Sequence, residues 1–315
     1  MQRRFTAASL IIAAGLSLSL VGCGQVGKLQ ARKAYKNAIE LYKQQDYKAA
    51  ADKYKEALDL DPDLAAAYFY LANSYDNQFK PSKRGDATND GYLTKAIEYY
   101  KIAAEKDPVA SQRKLAMQFL VNDYGTDKMN DPAQQEPLIQ KMIEMDPSDI
   151  ANYFALARVY DDAGQYDAEE QLLLKAKEIK PKDPAVYGQL AGFYNRQGEF
   201  DKTIEAFRQQ QQIDPNDPTI HYTISAFYWD KATKDRRLTD AQKRQMAEDG
   251  LNEVDKALQL KPDYVEALTT KGLLIRLQAA LEKDLAKYNA LMREASTWTD
   301  KANAAQKKRA AGLAK

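Results

Sequence analysis

The sequence predicts an all-α protein, a solenoid of about seven helix–turn–helix units followed by a long C-terminal helix. A proline follows an apolar and charged stretch at six places, which are Pro62, Pro108, Pro147, Pro181, Pro215 and Pro262. Proline ends one helix and permits the next to begin. The intervals between these prolines are 46, 39, 34, 34 and 47, and self-similarity at such a period indicates stacked helical repeats. The composition agrees, because 29% charged and 44% hydrophobic residues are typical of soluble, helix-rich proteins.

Two adjacent units match residue by residue. Small residues, Ala157 and Ala191, let the two helices of a unit approach closely, and Gly164 and Gly198 lie in the turn, where a positive φ costs glycine little. The matched positions, one period apart, are Tyr153 and Tyr187, Leu156 and Leu190, Ala157 and Ala191, Tyr160 and Tyr194, Gly164 and Gly198, Tyr166 and Phe200, Leu173 and Phe207, and Pro181 and Pro215. The pattern resembles the tetratricopeptide repeat (TPR), which has this period. The resemblance implies a right-handed superhelical solenoid.

The resemblance covers residues 31–290 and includes irregular units. The first unit has Gln45 where glycine is usual. The second and sixth units are longer than the regular ones, with insertions near 77–92 and 233–246. Both insertions are polar and charged and fall at the turn between two helices. We predict that they project as partner-specific loops.

The N-terminus has the order of a secretory signal peptide, with Arg3 and Arg4, then an uncharged apolar run at 5–22, then the only cysteine, Cys23. The tetrapeptide LVGC at 20–23 resembles the lipobox of bacterial lipoproteins. That resemblance implies cleavage after residue 22, acylation of Cys23, and a short lipidated tether at 23–30. A residue other than Asp after Cys23 implies an outer-membrane anchor facing the periplasm, with the inner membrane or the cell surface as alternatives. A plain signal peptide or anchor with an incidental cysteine is the alternative to lipidation.

The C-terminal segment, 281–315, predicts one long helix with a basic tail. Apolar residues recur at about 3.5-residue spacing, which fits one helical face, at Leu281, Leu285, Tyr288, Met292 and Ala295. Because a solenoid needs an end cap, we predict a capping helix. A homodimer contact through this stripe, which bears Trp298, is the alternative. The basic tail suits the negative end of a helix dipole, or contact with anionic lipid or glycan.

Known catalytic and cofactor-binding motifs are absent from the sequence. It contains no Walker-type loop, no GxGxxG and no GxSxG. One histidine, His221, and one cysteine cannot supply a His-based metal cluster or an internal disulfide, and His221 falls at a packing position of the sixth unit. Ser111 and Lys114 have SxxK spacing but no KTG companion. With 46 basic and 45 acidic residues, the chain lacks the electrostatic footprint of a nucleic-acid binder. We predict a protein that is not an enzyme and takes no metal or cofactor.

The TPR resemblance also implies where a partner binds. In that family the first helix of each repeat lines a concave groove that takes a protein or peptide. The matching positions are Tyr35, Tyr42, Phe69, Asn73, Phe154, Arg158, Asn195, Arg196, Tyr222 and Trp229. Aromatic rings offer contact area at low entropy cost, and amides pair with a peptide backbone. For any one of these residues the alternative is packing between helices.

We therefore expect a membrane-anchored, periplasm-facing scaffold for protein–protein interaction. In plan the chain is similar to the TPR lipoproteins of the outer-membrane barrel-assembly machine and of type IV pilus secretin assembly, which implies a role in envelope assembly. An adaptor that binds cell-wall enzymes or glycan is the alternative, because the basic tail and the groove aromatics would serve it. The choice between them depends on the site, since fold alone does not fix function.

Overall fold

The structure, a computed structural model, describes the backbone of residues 9–312 and the side chains of residues 25–312. This part of the chain contains fourteen α-helices, one short 3-10 helix and no strand, which confirms the all-α prediction. The helices are α1 Ser9–Lys43, α2 Tyr47–Leu60, α3 Ala65–Asp76, α4 Ala87–Lys106, α5 Ala110–Asp123, α6 Pro132–Met145, α7 Ile150–Asp162, α8 Tyr166–Ile179, α9 Pro184–Arg196, α10 Phe200–Ile213, α11 Pro218–Lys234, α12 Asp240–Leu260, α13 Val265–Ala280 and α14 Leu285–Ala310. Within the described residues, no helix combines the length and the apolar character that membrane crossing requires.

The helices form two compact units, divided between Gln165 and Tyr166. Unit 1 contains α1–α7 and unit 2 contains α8–α14. Within each unit every helix packs against the next one along the chain, as expected where each repeat contacts only its neighbours. The odd-numbered helices are the first helices of the repeats, and the even-numbered ones are the second helices.

Aspartates begin many of the helices. Each accepts a hydrogen bond through its carboxylate from a backbone N–H in the first turn, as at Asp46, Asp86, Asp131, Asp149, Asp183, Asp217 and Asp284. Such an N-cap contributes about 1 kcal/mol. Proline occupies the first position of α6, α9 and α11, where its missing N–H has no helical partner to lose. After the repeated prolines at 147, 181 and 215, the end of one helix is thus followed closely by a helix start that an aspartate caps.

The repeated proline has a structural partner in the following helix. Its carbonyl oxygen accepts a hydrogen bond from a ring side chain six residues later, in the pairs Tyr68–Pro62 at 3.1 Å, Tyr153–Pro147 at 3.1 Å, Tyr187–Pro181 at 2.7 Å and His221–Pro215 at 3.3 Å. His221 stands where these other repeats have tyrosine, and it is buried. The imidazole therefore occupies a packing position, as its place in the repeat predicts.

The turn between the two helices of a repeat requires a left-handed residue. The φ angle is 70° at Gly164, 75° at Gly198 and 62° at Gln45. The next N–H then reaches back to the carbonyl five residues earlier, as from Glu199 to Tyr194 at 2.9 Å. A residue with a Cβ loses about 1–2 kcal/mol in this conformation. In the first repeat, Gln45 therefore lowers the stability of the folded chain by this amount.

The insertion at 77–92 folds against unit 1, so the prediction of a projecting loop is wrong here. Phe79 is buried. Asn89, also buried, accepts a hydrogen bond from the Lys80 N–H at 2.9 Å and donates to the Lys80 carbonyl at 3.2 Å. Arg84 donates to the Thr126 carbonyl at 3.1 Å. One apolar side chain and one amide anchor a segment whose overall polarity suggested a free loop.

The insertion at 233–246 lengthens two helices. Helix α11 extends to Lys234 and α12 begins at Asp240, which leaves only 235–239 between them. Thr239 and Gln242 form a capping box at the start of α12, and a Ser/Thr-x-x-Glu/Gln sequence is a start signal for a helix. The prediction of a loop missed this signal, so it is corrected to a helical extension with a short connection.

The N-terminal part of the chain differs from the predicted tether. Residues 25–30, expected to be extended, continue α1, so they rise about 1.5 Å per residue. The side chains of the leader and of Cys23 lie outside the described residues. The signal peptide and the lipidation stay predictions.

The C-terminal helix, α14, has two halves in different surroundings. It begins at Leu285, because the Asp284 carboxylate caps it by accepting from the Lys287 N–H. From Ala295 onward it packs against α13 as a capping helix would, with buried side chains at Ala295, Ala302 and Ala305. Trp298, part of the dimer hypothesis, packs within its own chain, with the Lys271 ammonium 3.9 Å from the ring.

The first half of α14 keeps an exposed apolar stripe. Leu285 is 72% exposed, Tyr288 38% and Met292 36%. Their spacing of three and four residues places them on one face of the helix. The homodimer contact through this stripe stays a prediction, now without Trp298.

Candidate functional site

A groove in unit 2 is lined by the first helices of three successive repeats, α9, α11 and α13. Its volume is about 590 Å³. Its lining includes three of the residues that the sequence predicts for partner binding, Asn195 on α9 and Tyr222 and Trp229 on α11. The matched helices of consecutive repeats therefore build the groove, as the TPR resemblance implies.

The floor of the groove is aromatic. Tyr222 and Trp229 stand two helical turns apart on α11, which places them on one face of the helix. Both are half-buried and pack against the core between α12 and α13, and the Tyr222 ring lies 5.1 Å from the ring of Tyr264. Rings that are held on one side by packing present the other side to a ligand with little entropy left to lose.

The rim of the groove is polar and acidic. Asp230 pairs with Lys234 at 2.6 Å, and Glu266 pairs with Arg309 at 2.9 Å. The hydrogen bond from Arg309, together with a backbone hydrogen bond, lowers the pKa of the Glu266 carboxyl, so this group is ionised at neutral pH. Asn195 is exposed and forms no side-chain hydrogen bond among the described residues. The groove thus offers an apolar floor, an accessible amide and two carboxylates.

The predicted aromatic residues of unit 1 pack against one another. Tyr35 and Tyr42 are half-buried, and their rings lie 6.4 and 5.8 Å from the ring of Tyr70. Phe69 is only 9% exposed and meets the ring of Phe119 edge-on at 5.4 Å. The prediction that Phe69 faces a partner is therefore wrong, because neighbouring aromatic side chains cover it. Tyr35 and Tyr42 give part of their surface to the same packing.

Asn73, also predicted to face a partner, is the centre of a hydrogen-bond network inside unit 1. It is 7% exposed. The Tyr42 hydroxyl donates to its Oδ1, and so does the Asn77 amide at 2.7 Å. Its own Nδ2 donates to the Tyr100 hydroxyl at 2.9 Å. Burial raises the pKa of Tyr100. The Asn73 amide thus bonds hydroxyl groups inside unit 1, so the prediction that it faces a partner is wrong. As at Phe69, the reason is that neighbouring side chains cover it.

A lysine joins two buried carboxylates next to this network. The Lys128 ammonium lies 2.5 Å from the Asp76 carboxylate and 2.7 Å from that of Asp123. Burial, with the nearby Asp76 charge, raises the pKa of Asp123 to about 7, although the hydrogen bond from Lys128 opposes the shift. The Lys128 carbonyl also accepts a hydrogen bond from Arg84 in the insertion. The cluster fixes the loop between α5 and α6 and was not predicted from the sequence.

The remaining predicted residues are not part of the groove lining. Phe154 is half-buried on α7, and Arg158, one turn later, is exposed beside a cleft of about 270 Å³ that Gln118 also lines. Arg196 is exposed on α9, and its guanidinium pairs with Glu169 at 2.5 Å. Three of the ten predicted residues therefore line the unit 2 groove, and the others have separate surroundings.

Comparison with protein families identifies the repeats. A family described as "TPR repeat" matches residues 40–78, and two described as "Tetratricopeptide repeat" match residues 138–171 and 184–217. The chain contains tetratricopeptide repeats. The matched segments include the turns at Gln45, Gly164 and Gly198, where the left-handed residue stands. No curated protein sequence matches the chain.

Several solved structures are similar to this chain. The C-terminal part of a TPR repeat-containing protein from Cytophaga hutchinsonii is 14% identical, with a TM-score of 0.57 over 86% of this chain and 98% of that one. PilW, titled a widely conserved type IV pilus biogenesis factor, is 20% identical, with a TM-score of 0.42 over 76% and 97%. YrrB, titled a TPR protein with an unusual peptide-binding site, is 18% identical, with a TM-score of 0.41 over 58% and 85%. The first of these likenesses concerns the fold alone.

Part of the groove of this TPR protein was missed by the sequence mapping. Glu266 and Thr269 on α13 line it together with Tyr222. Thr269 follows Tyr222 by the same interval that separates the last two repeated prolines, Pro215 and Pro262. Counting the insertion into the period would have carried the mapping from Tyr222 to Thr269, and so to the third wall of the groove.

Proposed function

We propose that this TPR protein is a lipid-anchored scaffold on the periplasmic side of the bacterial cell envelope, and that its unit 2 groove holds a peptide segment of a partner protein. Tetratricopeptide repeats are protein-interaction modules, which supports the scaffold class. The observation that carries the proposal is the groove itself, in which the half-buried rings of Tyr222 and Trp229 lie beside the exposed Asn195 amide.

The chemistry of the groove indicates the kind of peptide. An apolar or aromatic side chain would cover the rings of Tyr222 and Trp229, because buried aromatic contacts dominate the energetics of interfaces. The Asn195 amide would pair with the peptide backbone. A basic side chain would lie near the carboxylates of Asp230 and Glu266, where it would exchange with their partners Lys234 and Arg309. The ligand class is an extended peptide with apolar and basic residues.

The groove can be tested by crosslinking and capture from membranes with the full chain. We expect that Tyr222→Ala with Trp229→Ala removes most of the captured partner, since both rings are lost. Tyr166→Ala is the matched control, because Tyr166 is an exposed ring of unit 2 outside the groove. Equal capture by the groove variant and the control, with helicity unchanged in both, would show that the groove is not the binding site.

A spectroscopic measurement gives an independent test. The chain has two tryptophans, so Trp298→Phe leaves Trp229 as the only indole reporter. Addition of the captured partner, or of a peptide derived from it, is expected to shift or quench the Trp229 emission. A saturable interaction that leaves the emission unchanged argues for a partner surface elsewhere on the chain.

The anchor is tested separately at Cys23. In a bacterial host, incorporation of a labelled fatty acid is expected for the natural chain and absent for Cys23→Ser, which should leave the membrane fraction. Because Cys23 is the only cysteine, the label reports on one residue. Equal labelling or equal membrane retention of the two chains argues against lipidation at this position, and it leaves the groove proposal to its own tests.

A further inference from the structure

Three helices of unit 2 meet at the only histidine of the chain. His221 lies on α11, Glu253 on α12 and Gln211 on α10. The imidazole Nδ1 is 2.8 Å from the Glu253 carboxylate, and its Nε2 is 3.3 Å from the Pro215 carbonyl oxygen. The His221 side chain is only 7% exposed and that of Glu253 12%. His221, Glu253 and Gln211 form what we call the His221 cluster. It joins consecutive helices and is largely shielded from solvent.

Each ring nitrogen of His221 lies near an oxygen that can only accept, and Nδ1 also lies 2.8 Å from the Gln211 amide nitrogen, which can only donate. A neutral imidazole carries one N–H, so it can donate to the Pro215 carbonyl or to the Glu253 carboxylate, but not to both. An imidazolium carries two N–H groups and donates to both oxygens. A lone pair on Nδ1 at 2.8 Å from a carboxylate oxygen is repulsive. The cluster therefore has a partner for Nδ1 in both forms of the ring, the Glu253 carboxylate for the imidazolium and the Gln211 amide for the neutral imidazole.

The charges around the cluster keep the carboxylate ionised. Burial raises the pKa of the Glu253 carboxyl, but hydrogen bonds from His221, Lys256 and Gln211 outweigh burial and lower it below its usual value. Lys256 on α12 reaches the second carboxylate oxygen at 3.0 Å. From α10, the Gln211 amide reaches the first at 2.9 Å, and Arg208 bonds the Tyr228 hydroxyl at 3.1 Å. The ionised Glu253 carboxylate can thus form an ion pair with the imidazolium form of His221.

Three other repeats place a tyrosine where this one has His221. The hydroxyls of Tyr68, Tyr153 and Tyr187 donate to the matching proline carbonyl oxygens. A tyrosine hydroxyl stays protonated through the neutral range, whereas histidine is the side chain whose charge changes there. The sixth repeat therefore has a histidine at a position where three other repeats have a tyrosine, whose contact with the proline carbonyl is the same at every physiological pH.

The cluster is coupled to the wall of the groove through the backbone of α11. Tyr222, which lines the groove, is the residue after His221. Helices α11 and α12 also carry the insertion of the sixth repeat and pack against each other. Any loosening of α11 from α12 at His221 would therefore reach the aromatic floor of the groove.

We propose that His221 and Glu253 form a pH-sensitive clamp, which fastens α11 to α12 while the imidazole is protonated and loosens when the ring loses its proton. The released Nδ1 lone pair then accepts from the Gln211 amide, which already lies 2.8 Å away, and the direct ion pair is lost. The clamp concerns the stability of unit 2 and does not depend on what the groove binds.

The clamp is tested by thermal denaturation of the full chain at about pH 5.5 and about pH 8. These two pH values bracket the usual titration of imidazoles. We expect the midpoint of the natural chain to fall by a few degrees more between these pH values than that of His221→Tyr, which supplies the hydroxyl that three other repeats use. Glu253→Gln should reduce the pH dependence in the same way. Glu248→Gln, an exposed carboxyl on the same helix, should leave it unchanged.

A local reporter keeps the test decisive if a variant is unstable. With Trp298→Phe in the background, Trp229 on α11 is the only indole, and its emission is followed across the same pH range in the folded chain. A transition is expected with His221 present and absent with His221→Tyr. The proposal is overturned if the natural chain and His221→Tyr show the same pH dependence in both measurements, or if Glu253→Gln leaves it intact.

Discussion

Phe69 in unit 1 and Tyr222 in unit 2 occupy matched positions, each one residue after the ring that bonds the repeated proline. Phe69 is covered by the side chains around it, including Phe119 at 5.4 Å. Tyr222 keeps one face toward a groove of about 590 Å³. The same repeat position is thus core in one unit and surface in the other, and the neighbouring helices decide which.

Polar residues repeat this contrast. In unit 1 Asn73 joins the hydroxyls of Tyr42 and Tyr100, and Lys128 joins two carboxylates from different helices. In unit 2 Asn195 is exposed at the groove. Unit 1 therefore uses its first-helix polar groups for internal structure, whereas unit 2 leaves one available. Substitutions at matched sites can separate these roles.

The largest effect is expected where unit 1 uses an aromatic ring as core. Phe69→Ala should lower the free energy of unfolding by about 3–5 kcal/mol, since a large buried side chain is replaced by a cavity. Tyr222→Ala should cost about 1 kcal/mol, because the ring is only half-buried. Chemical denaturation of both variants measures the difference. Equal losses would contradict the contrast between a closed and an open site.

The next effect concerns the buried ion cluster. Lys128→Met leaves the carboxylates of Asp76 and Asp123 together without their cation, and we expect a loss of about 3 kcal/mol. Lys53→Met is the control, because its ion pair with Glu56 lies on the surface and is worth less than about 1 kcal/mol. Urea titrations followed by circular dichroism give both values. Similar small losses in the two variants would show that the cluster is not stabilising.

The pH dependence of unit 1 follows from Asp123. Its pKa is raised from 3.8 to about 7 in the folded chain, so between about pH 4 and pH 7 the folded state holds a proton that the unfolded state has lost. Stability should therefore fall as pH rises through this window, by at most about 1.4 kcal/mol per pH unit. Asp123→Asn should remove this slope. Denaturation at several pH values, natural chain against variant, measures it, and parallel curves would contradict the assignment.

The repeats were predictable because they depend on local and periodic signals. The proline intervals, the glycine turns and the small residues at 157 and 191 are all visible along the chain, and the helices follow them. The covering of Phe69 and the cluster around Lys128 were not predictable, because they join helices that are distant in sequence. The ion pair from Lys128 to Asp76 spans 52 positions, and no period relates its members.

The site shows the same limit. The place in the repeat predicts three residues that line the groove, Asn195, Tyr222 and Trp229. The groove follows the period wherever the period is regular. Thr269 was missed because the insertion before α13 shifts the register. Which first helices remain open depends on side chains of other helices, so the repeat position alone marks both buried and accessible residues.

The smallest effect compares the turns of the two units. Gln45 in unit 1 and Gly198 in unit 2 both have positive φ, 62° and 75°. Gln45→Gly should raise the free energy of unfolding by about 0.5–1 kcal/mol, because relief of the left-handed strain outweighs the added freedom of the unfolded chain. Gly198→Gln, where an added Cβ meets no atom within 4 Å, should lose a similar amount through backbone strain alone. Thermal denaturation of both variants measures the pair, and shifts of the same sign would show that contacts of the glutamine side chain, rather than its backbone conformation, decide stability at this turn.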